Sequence, residues 1–264
     1  MRWIYLSPHL DDAVLSAGGF IYEQTKAGTP VEIWTFMAGF PPDVDEFSFL
    51  ARINHMAWGF SSAEETVRAR RAEDVNAAGI LGAQAVHFDF LDCIYRRGKD
   101  GVWMYDVDPV LTDGDEDDLP ARSMKAITSP PHADDADLPS QIAKVISPRL
   151  KPDDVLVCQL SVGSHVDHVL VRQAAELLGR PLVYDIDVPY IFYKPEEFAP
   201  KSAGMKKQIH KVTVAGLKSW QDAVLAYKSQ LPVLGEAMRT PEMAQESIQS
   251  YWEEWQGIQM LEIS

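Results

Sequence analysis

Near its start the chain carries "PHLDD", with His9, Asp11 and Asp12, and much later "GSHVDH", with His165, Asp167 and His168. Imidazole nitrogens and carboxylate oxygens ligate divalent metals, and three such donors with one position left open describe a catalytic site rather than a closed structural one. Metal-assisted hydrolysis needs two further groups: a base for the attacking water and a donor for the developing oxyanion. Zinc brings the pKa of a water it holds from about 15.7 toward about 7, so a neighbouring carboxylate accepts that proton near neutral pH. A neighbouring histidine can donate to the oxyanion or the leaving amine. The two clusters hold enough groups for all of these tasks.

The chain must bring the clusters together, and its patterning shows how. Residues 3–6 form a short apolar run ahead of the first cluster, and residues 154–160 form a continuous apolar run, suited to a strand buried on both faces, ahead of the second. Helix-like patterns follow at 13–26 and 166–178. Strand-to-helix turns of open parallel sheets are where α/β proteins build sites. A helix beginning near Ser164 puts His165 and His168, three apart, on one face.

Further strands are expected at 31–37, 86–90 and 181–190, helices at 63–81, 138–150, 218–231 and 241–255, and an edge strand at 258–263. This alternation predicts an α/β, Rossmann-like fold, a mostly parallel sheet flanked by helices, as one domain over residues 1–264. Between 93 and 136 the periodicity dissolves, which reads as an insertion or lid. There Trp103 and Tyr105 either stack on a substrate ring or anchor the loop. The run "DGDEDD" at 113–118 lacks the spacing and terminal Glu of an EF-hand loop, so it reads as solvated rather than calcium-binding. A second Pro-His-x-Asp-Asp at 131–135 follows no strand, and Asp134, Asp135 and Asp137 read as acids ahead of a helix N-terminus. His55, His87 and His210 have no partner spacing, and "KSAGMKKQIHK" reads as a surface loop.

At 264 residues and 46% hydrophobic, the chain can bury a sizeable core. With 24 Lys and Arg against 39 acids, its net charge of -15 argues against nucleic acid or an anionic membrane as main partner. Cys93 and Cys158 do not suggest disulfide scaffolding, and Cys158, inside an apolar run, reads as a buried thiol. Polar residues interrupt any signal-peptide pattern, no run approaches the roughly 20 apolar residues of a membrane span, and a cytoplasmic location is the expectation.

Taken together, "PHLDDAVLS" and "GSHVDHVLVRQAA" resemble the LmbE-like, PIG-L family of metal-dependent N-deacetylases. "RRAEDVNAAGILG" with Arg70 and Glu73, "VHFDFLD" with Asp92, and "AVLAYKSQL" are similar to further family segments. The resemblance implies metal ligation by His9, Asp12 and His168, a general base at Asp11, and an oxyanion stabiliser or acid at His165. It places Arg70 and Asp92 near the substrate's sugar, with Arg71 a rival for Arg70. It implies zinc, with Fe2+ or another divalent metal as the alternative, and hydrolysis of the acetamide of an N-acetylglucosamine-type sugar or conjugate. A hydrolase of another amide, ester or phosphoester, and a non-catalytic metal-binding protein, are the competing readings. Leu10, Ala13 and Val166 depart from the family's commonest residues without removing a ligand, and Gly163 stands where some members present an aromatic or acidic side chain.

Overall fold

The apolar runs become the strands of a seven-stranded sheet. The computed structural model describes residues 1–42, 44, 46–107 and 119–263. Its strands are β1 (Trp3–Ser7), β2 (Val31–Thr35), β3 (Gln84–His87), β4 (Val155–Gln159), β5 (Leu182–Asp185), β6 (Met205–Lys211) and β7 (Gly257–Ile263), in the order β3-β2-β1-β4-β5-β7-β6. The first five are mutually parallel, and β7 and β6 close one side in antiparallel pairing. The fold is α/β and Rossmann-like. Its helices are α1 (Asp12–Lys26), α2 (Phe49–Ala57), α3 (Ala63–Leu81), α4 (Leu119–Ile127), α5 (Leu138–Ile146), α6 (Val166–Leu177), α7 (Tyr190–Tyr193), α8 (Phe198–Lys201), α9 (Val214–Val224) and α10 (Pro241–Trp255).

The central strands are buried on both faces, which is why β1 and β4 read as unbroken apolar runs. Ile4, Leu156 and Val157 are fully buried, each worth roughly 1.5–3 kcal/mol of transfer free energy. Helix α1 packs on α9 and α3, and α5 packs on α6. Gly18 permits the close approach of α1 to α9: a Cβ there would collide with the indole of Trp220, whose Nε1 donates to the Val14 carbonyl at 2.8 Å. The chain leaves β1 toward β2 on one side and returns to β4 on the other. The C-terminal ends of β1 and β4 therefore open the crevice at the point where strand order reverses.

Several expectations are corrected. The lysine-rich loop is instead the edge strand β6, paired along its length from Met205 opposite Ile263 to Lys211 opposite Gly257. Its lysines stand on an open edge, where charge discourages further strand pairing. Residues 258–263 are accordingly an interior strand. The expected helix at 218–231 begins earlier, capped by Thr213, whose Oγ1 accepts from Gly216 N–H at 3.1 Å, and ends at Val224, so Ser229 and Gln230 lie in the turns beyond it. Strand β3 ends at His87 and β5 at Asp185. The acidic run at 113–118 lies outside the described residues. Trp103 and Tyr105 both anchor the insertion: Trp103 stacks on Phe47 with ring centroids 6.2 Å apart, and Tyr105 is buried. No helix among the described residues is long and apolar enough to cross a membrane.

Candidate active site and metal centre

The first cluster is shaped by a tight network at the end of β1. Ser7 Oγ donates to the His9 carbonyl at 2.7 Å and accepts from Ala13 N–H at 3.1 Å, tying the turn to the first residues of α1. The His9 N–H donates to Asp12 Oδ2 at 2.7 Å. The second cluster hangs on a loop in which Ser161, Gly163 and Ser164 all have positive φ, 63°, 83° and 56°. Left-handed backbone costs about 1–2 kcal/mol for each of the two serines. Glu197 Oε2 offsets part of this by accepting from Gly163 N–H and Ser164 Oγ, both at 3.1 Å, while Lys201 Nζ donates to the Ser161 carbonyl and to Ser164 Oγ.

These turns bring His9, Asp12, His165 and His168 together, all buried. One donor nitrogen from each of the three histidines falls within a 4.8 Å group, and their ring centroids lie 4.7–5.3 Å apart. Asp12 Oδ2 lies 3.4 Å from His9 Nδ1 and 3.4 Å from His168 Nε2. Ligands about 2.0–2.1 Å from a tetrahedral metal are separated by about 3.4 Å, so both spacings suit a shared cation.

Two of the three imidazoles back onto carboxylates. His9 Nε2 donates to Asp167 Oδ2 at 3.0 Å, and His168 Nδ1 donates to Asp187 Oδ1 at 3.2 Å. Carboxylates only accept, so the protons sit on those outer nitrogens and the inner ones face Asp12. This is the arrangement that orients metal-ligating histidines. His168 Nε2 is buried without a hydrogen-bond partner among the described residues. A buried polar nitrogen without a hydrogen bond costs about 1–3 kcal/mol, and a cation held between His168 and Asp12 would relieve that cost. The donor set fits a divalent metal of the nitrogen-and-oxygen-binding kind.

Two groups beside these donors have shifted affinities for protons. Burial, reinforced by the Asp12 charge, pushes the Asp11 carboxyl up to about 7. Asp12 itself, despite burial, is held well below the usual carboxylate range by His168 and His9. Burial, with the neighbouring His9 and His168, drives His165 well below its ordinary value, so its ring is neutral at pH 7. Its Nδ1 accepts from Asp167 N–H at 3.2 Å, which puts the remaining proton on Nε2 as a donor. His165 is therefore a neutral donor rather than an imidazolium acid.

The remaining sequence candidates separate cleanly. Arg70 is buried, its Nη1 3.9 Å from Asp92 Oδ2 and its guanidinium over the Trp58 ring at 4.7 Å. Asp92 Oδ2 also lies 3.8 Å from His9 Nε2. Arg71 faces away: it donates to the Ala38 carbonyl at 2.8 Å and to Asp89 Oδ1 at 2.6 Å, pinning two loops. Glu73 does not pair with Arg70 but accepts from Ser229 N–H and Oγ at 2.9 and 2.6 Å. His55 bonds Tyr95, His87 bonds Asp74 and His210 stacks on Phe20, none of them in the cluster. Asp135 does precede α5, but it is also buried against Arg96, whose Nε donates to it at 3.0 Å. Sequence reasoning missed Asp187, although it stands just past the end of β5, where the strand-end rule that singled out the two histidine clusters applies equally.

A crevice at the strand-order reversal, lined by paired histidines, a metal-type donor set and a carboxylate with elevated proton affinity, suits metal-assisted hydrolysis. The comparisons agree. The family described as GlcNAc-PI de-N-acetylase, PIG-L, matches residues 4–178, and the chain belongs to that family. It is accordingly a deacetylase by class, a hydrolytic enzyme acting on acetamides. No curated protein sequence matches it significantly. Among solved structures, the zinc-inhibited form of teicoplanin deacetylase Orf2 is similar at TM-score 0.76 and 24% identity, covering 99% of this chain and 97% of that one. The antimicrobial pseudoaglycone deacetylase Dbv21 is similar at TM-score 0.69 and 25% identity, covering 99% and 96%. GalB, a 4-carboxy-2-hydroxymuconate hydratase from Pseudomonas putida KT2440, has the same fold at TM-score 0.52 and 18% identity, covering 95% and 84%.

Proposed function

We propose that this chain is a zinc-dependent N-deacetylase that hydrolyses the acetamide of an N-acetylglucosamine-type sugar or sugar conjugate to the free amine and acetate. The observation that carries the reading is the orphaned His168 Nε2 facing Asp12 Oδ2 at 3.4 Å, with Asp11 next in sequence and pushed up to about 7. His9 Nδ1, Asp12 and His168 Nε2 would hold the metal. Bound there, zinc would polarise the acetamide carbonyl and acidify the attacking water.

The chain's own residues do the rest. Asp11 takes the proton that the water loses as its oxygen bonds to the carbonyl carbon, a task suited to a base whose pKa lies near the working pH. The neutral His165 donates its Nε2 proton as a hydrogen bond to the oxygen that gains charge. As the carbon–nitrogen bond breaks, Asp11 returns the proton to the departing nitrogen, leaving amine and acetate. Arg70 and Asp92 lie where they can hold the sugar's hydroxyls. The names of the teicoplanin and pseudoaglycone deacetylases support a sugar conjugate larger than a free monosaccharide.

The test is metal content together with acetate release from a panel of N-acetylated sugars and conjugates, before and after chelation and zinc restoration. About one metal per chain with zinc-restored acetate release is expected. Asp11→Ala should keep its metal and lose turnover. Bound metal without acetate moves the chain to another hydrolysis, and absence of metal overturns the centre.

A further inference from the structure

Among the described residues between β3 and α5 none is a proposed ligand, yet besides Asp92 and the Cys93 N–H a buried guanidinium reaches the centre. Arg96, buried just beyond the turn at Cys93–Tyr95, donates through Nη1 to Asp167 Oδ1 at 2.5 Å and to the Leu91 carbonyl at 3.0 Å. On its other side Nε donates to Asp135 Oδ2 at 3.0 Å, and Nη2 lies 2.9 Å from the same oxygen. That oxygen also accepts from the Tyr105 hydroxyl at 2.8 Å, and the Tyr105 oxygen accepts from His132 N–H at 2.8 Å.

Asp167 is the joint. Its Oδ2 accepts from His9 Nε2 and from the Cys93 N–H, both at 3.0 Å, so every contact described for its carboxylate runs either to Arg96 and the Cys93 turn or to His9. Its side chain is 0% exposed and that of Asp135 4%. Buried carboxylates are held in place by charged, hydrogen-bonded partners, and removing one leaves the other unanchored. A planar guanidinium bridges two carboxylates at fixed geometry in a way an ammonium does not.

We propose that Arg96 and Asp135 are positioning residues of the metal centre: through Asp167 they fix the orientation of His9, so that the packing of Arg96 against Asp135 and Tyr105 sets the affinity for the metal. The inference rests on the metal-centre reading above and concerns residues that touch neither metal nor substrate. It also gives the second Pro-His-x-Asp-Asp a purpose, since its last Asp is the outer anchor of the series.

The experiment is zinc affinity of the chelator-stripped full-length chain, measured by competition with a chromophoric chelator, with the visible spectrum of the cobalt-loaded protein as a second readout. Arg96→Met should weaken zinc binding by about 10–100-fold and alter the cobalt spectrum. Asp135→Asn should fall between it and wild type, and Arg96→Lys should recover only part of the loss. Arg2→Met, which breaks the partly buried pair with Asp154 far from the crevice, controls for general destabilisation: its Tm should fall with zinc affinity unchanged. Should Arg96→Met fail to fold, Asp135→Asn and Arg96→Lys decide the matter alone. Zinc affinity within twofold of wild type in those variants overturns the inference while leaving the centre intact. A wild-type chain that binds no zinc overturns the functional reading first.

Discussion

The ring of Tyr190 lies against the α-carbon of Gly163, in the space a side chain at position 163 would occupy; a Cβ there would come within 2.7 Å of the Tyr190 Cγ. The same ring meets His168 edge-on, with centroids 5.2 Å apart. The aromatic wall of the crevice is thus supplied from the start of α7, after β5, and the histidine loop must carry glycine to admit it. Gly163 also has φ of 83°, so Gly163→Ala should cost about 1–2 kcal/mol from backbone alone and more through displacement of Tyr190. In a double-mutant cycle read by chemical unfolding, Tyr190→Ala should relieve the steric part, making the pair less damaging than the sum of the singles. Strict additivity would mean that the two residues do not share this space.

Asp11 supplies a pH signature in the metal-stripped protein. Its carboxyl is raised from 3.8 to about 7 in the fold, so the folded state holds this proton more tightly than the unfolded chain does. As pH rises from about 4 to about 7 the unfolded chain ionises first, and stability falls across that window before levelling off above it. Three units correspond to roughly 4 kcal/mol. Replacing Asp11 with Asn removes the penalty, so the variant should gain on wild type by that order between pH 4 and pH 8 in urea unfolding. A stability difference that does not change with pH would show that Asp11 ionises normally.

What could be read ahead of the structure follows from how local each feature is. His9, Asp11 and Asp12 lie within four residues directly after an apolar run, and His165 and His168 sit likewise after another, so a strand-end rule finds both without knowing which strands are neighbours. Asp187 stands at a strand end too, but its pairing with His168, like that of Asp135 with Arg96, joins residues well apart in sequence that only the strand order and the path of the chain bring together. The strand β6 escaped because its alternation is filled by lysines: its identity comes from its pairing with β7 rather than from a buried face.

His168 and Asp187 form the carboxylate–imidazole pair on the far side of the centre, and Asp187 is fully buried. Asp187→Asn keeps the shape and, because asparagine tolerates the left-handed backbone, keeps the observed φ of 54°. It removes the charge that would make His168 a strong ligand in the proposed centre. Zinc affinity should therefore fall by about 10–100-fold with little change in Tm, as read by competition titration and thermal unfolding. Unchanged affinity would assign the pair to packing.

Arg70 and Arg71 are adjacent in α3 and point to different tasks, which allows a matched comparison. Arg70 lies beside Asp92, stacked on Trp58, with its buried Nε unpartnered among the described residues, whereas Arg71 is spent on Ala38 and Asp89. Lysine at position 70 keeps the charge and loses the planar fork, so it should raise KM for the acetamide substrate about tenfold, the value of one lost charge-assisted contact of about 1.4 kcal/mol. Lysine at position 71 should leave KM within twofold and act, if at all, on Tm. Steady-state kinetics on the two variants with one substrate separates the roles, and equal KM values would remove Arg70 from the sugar site.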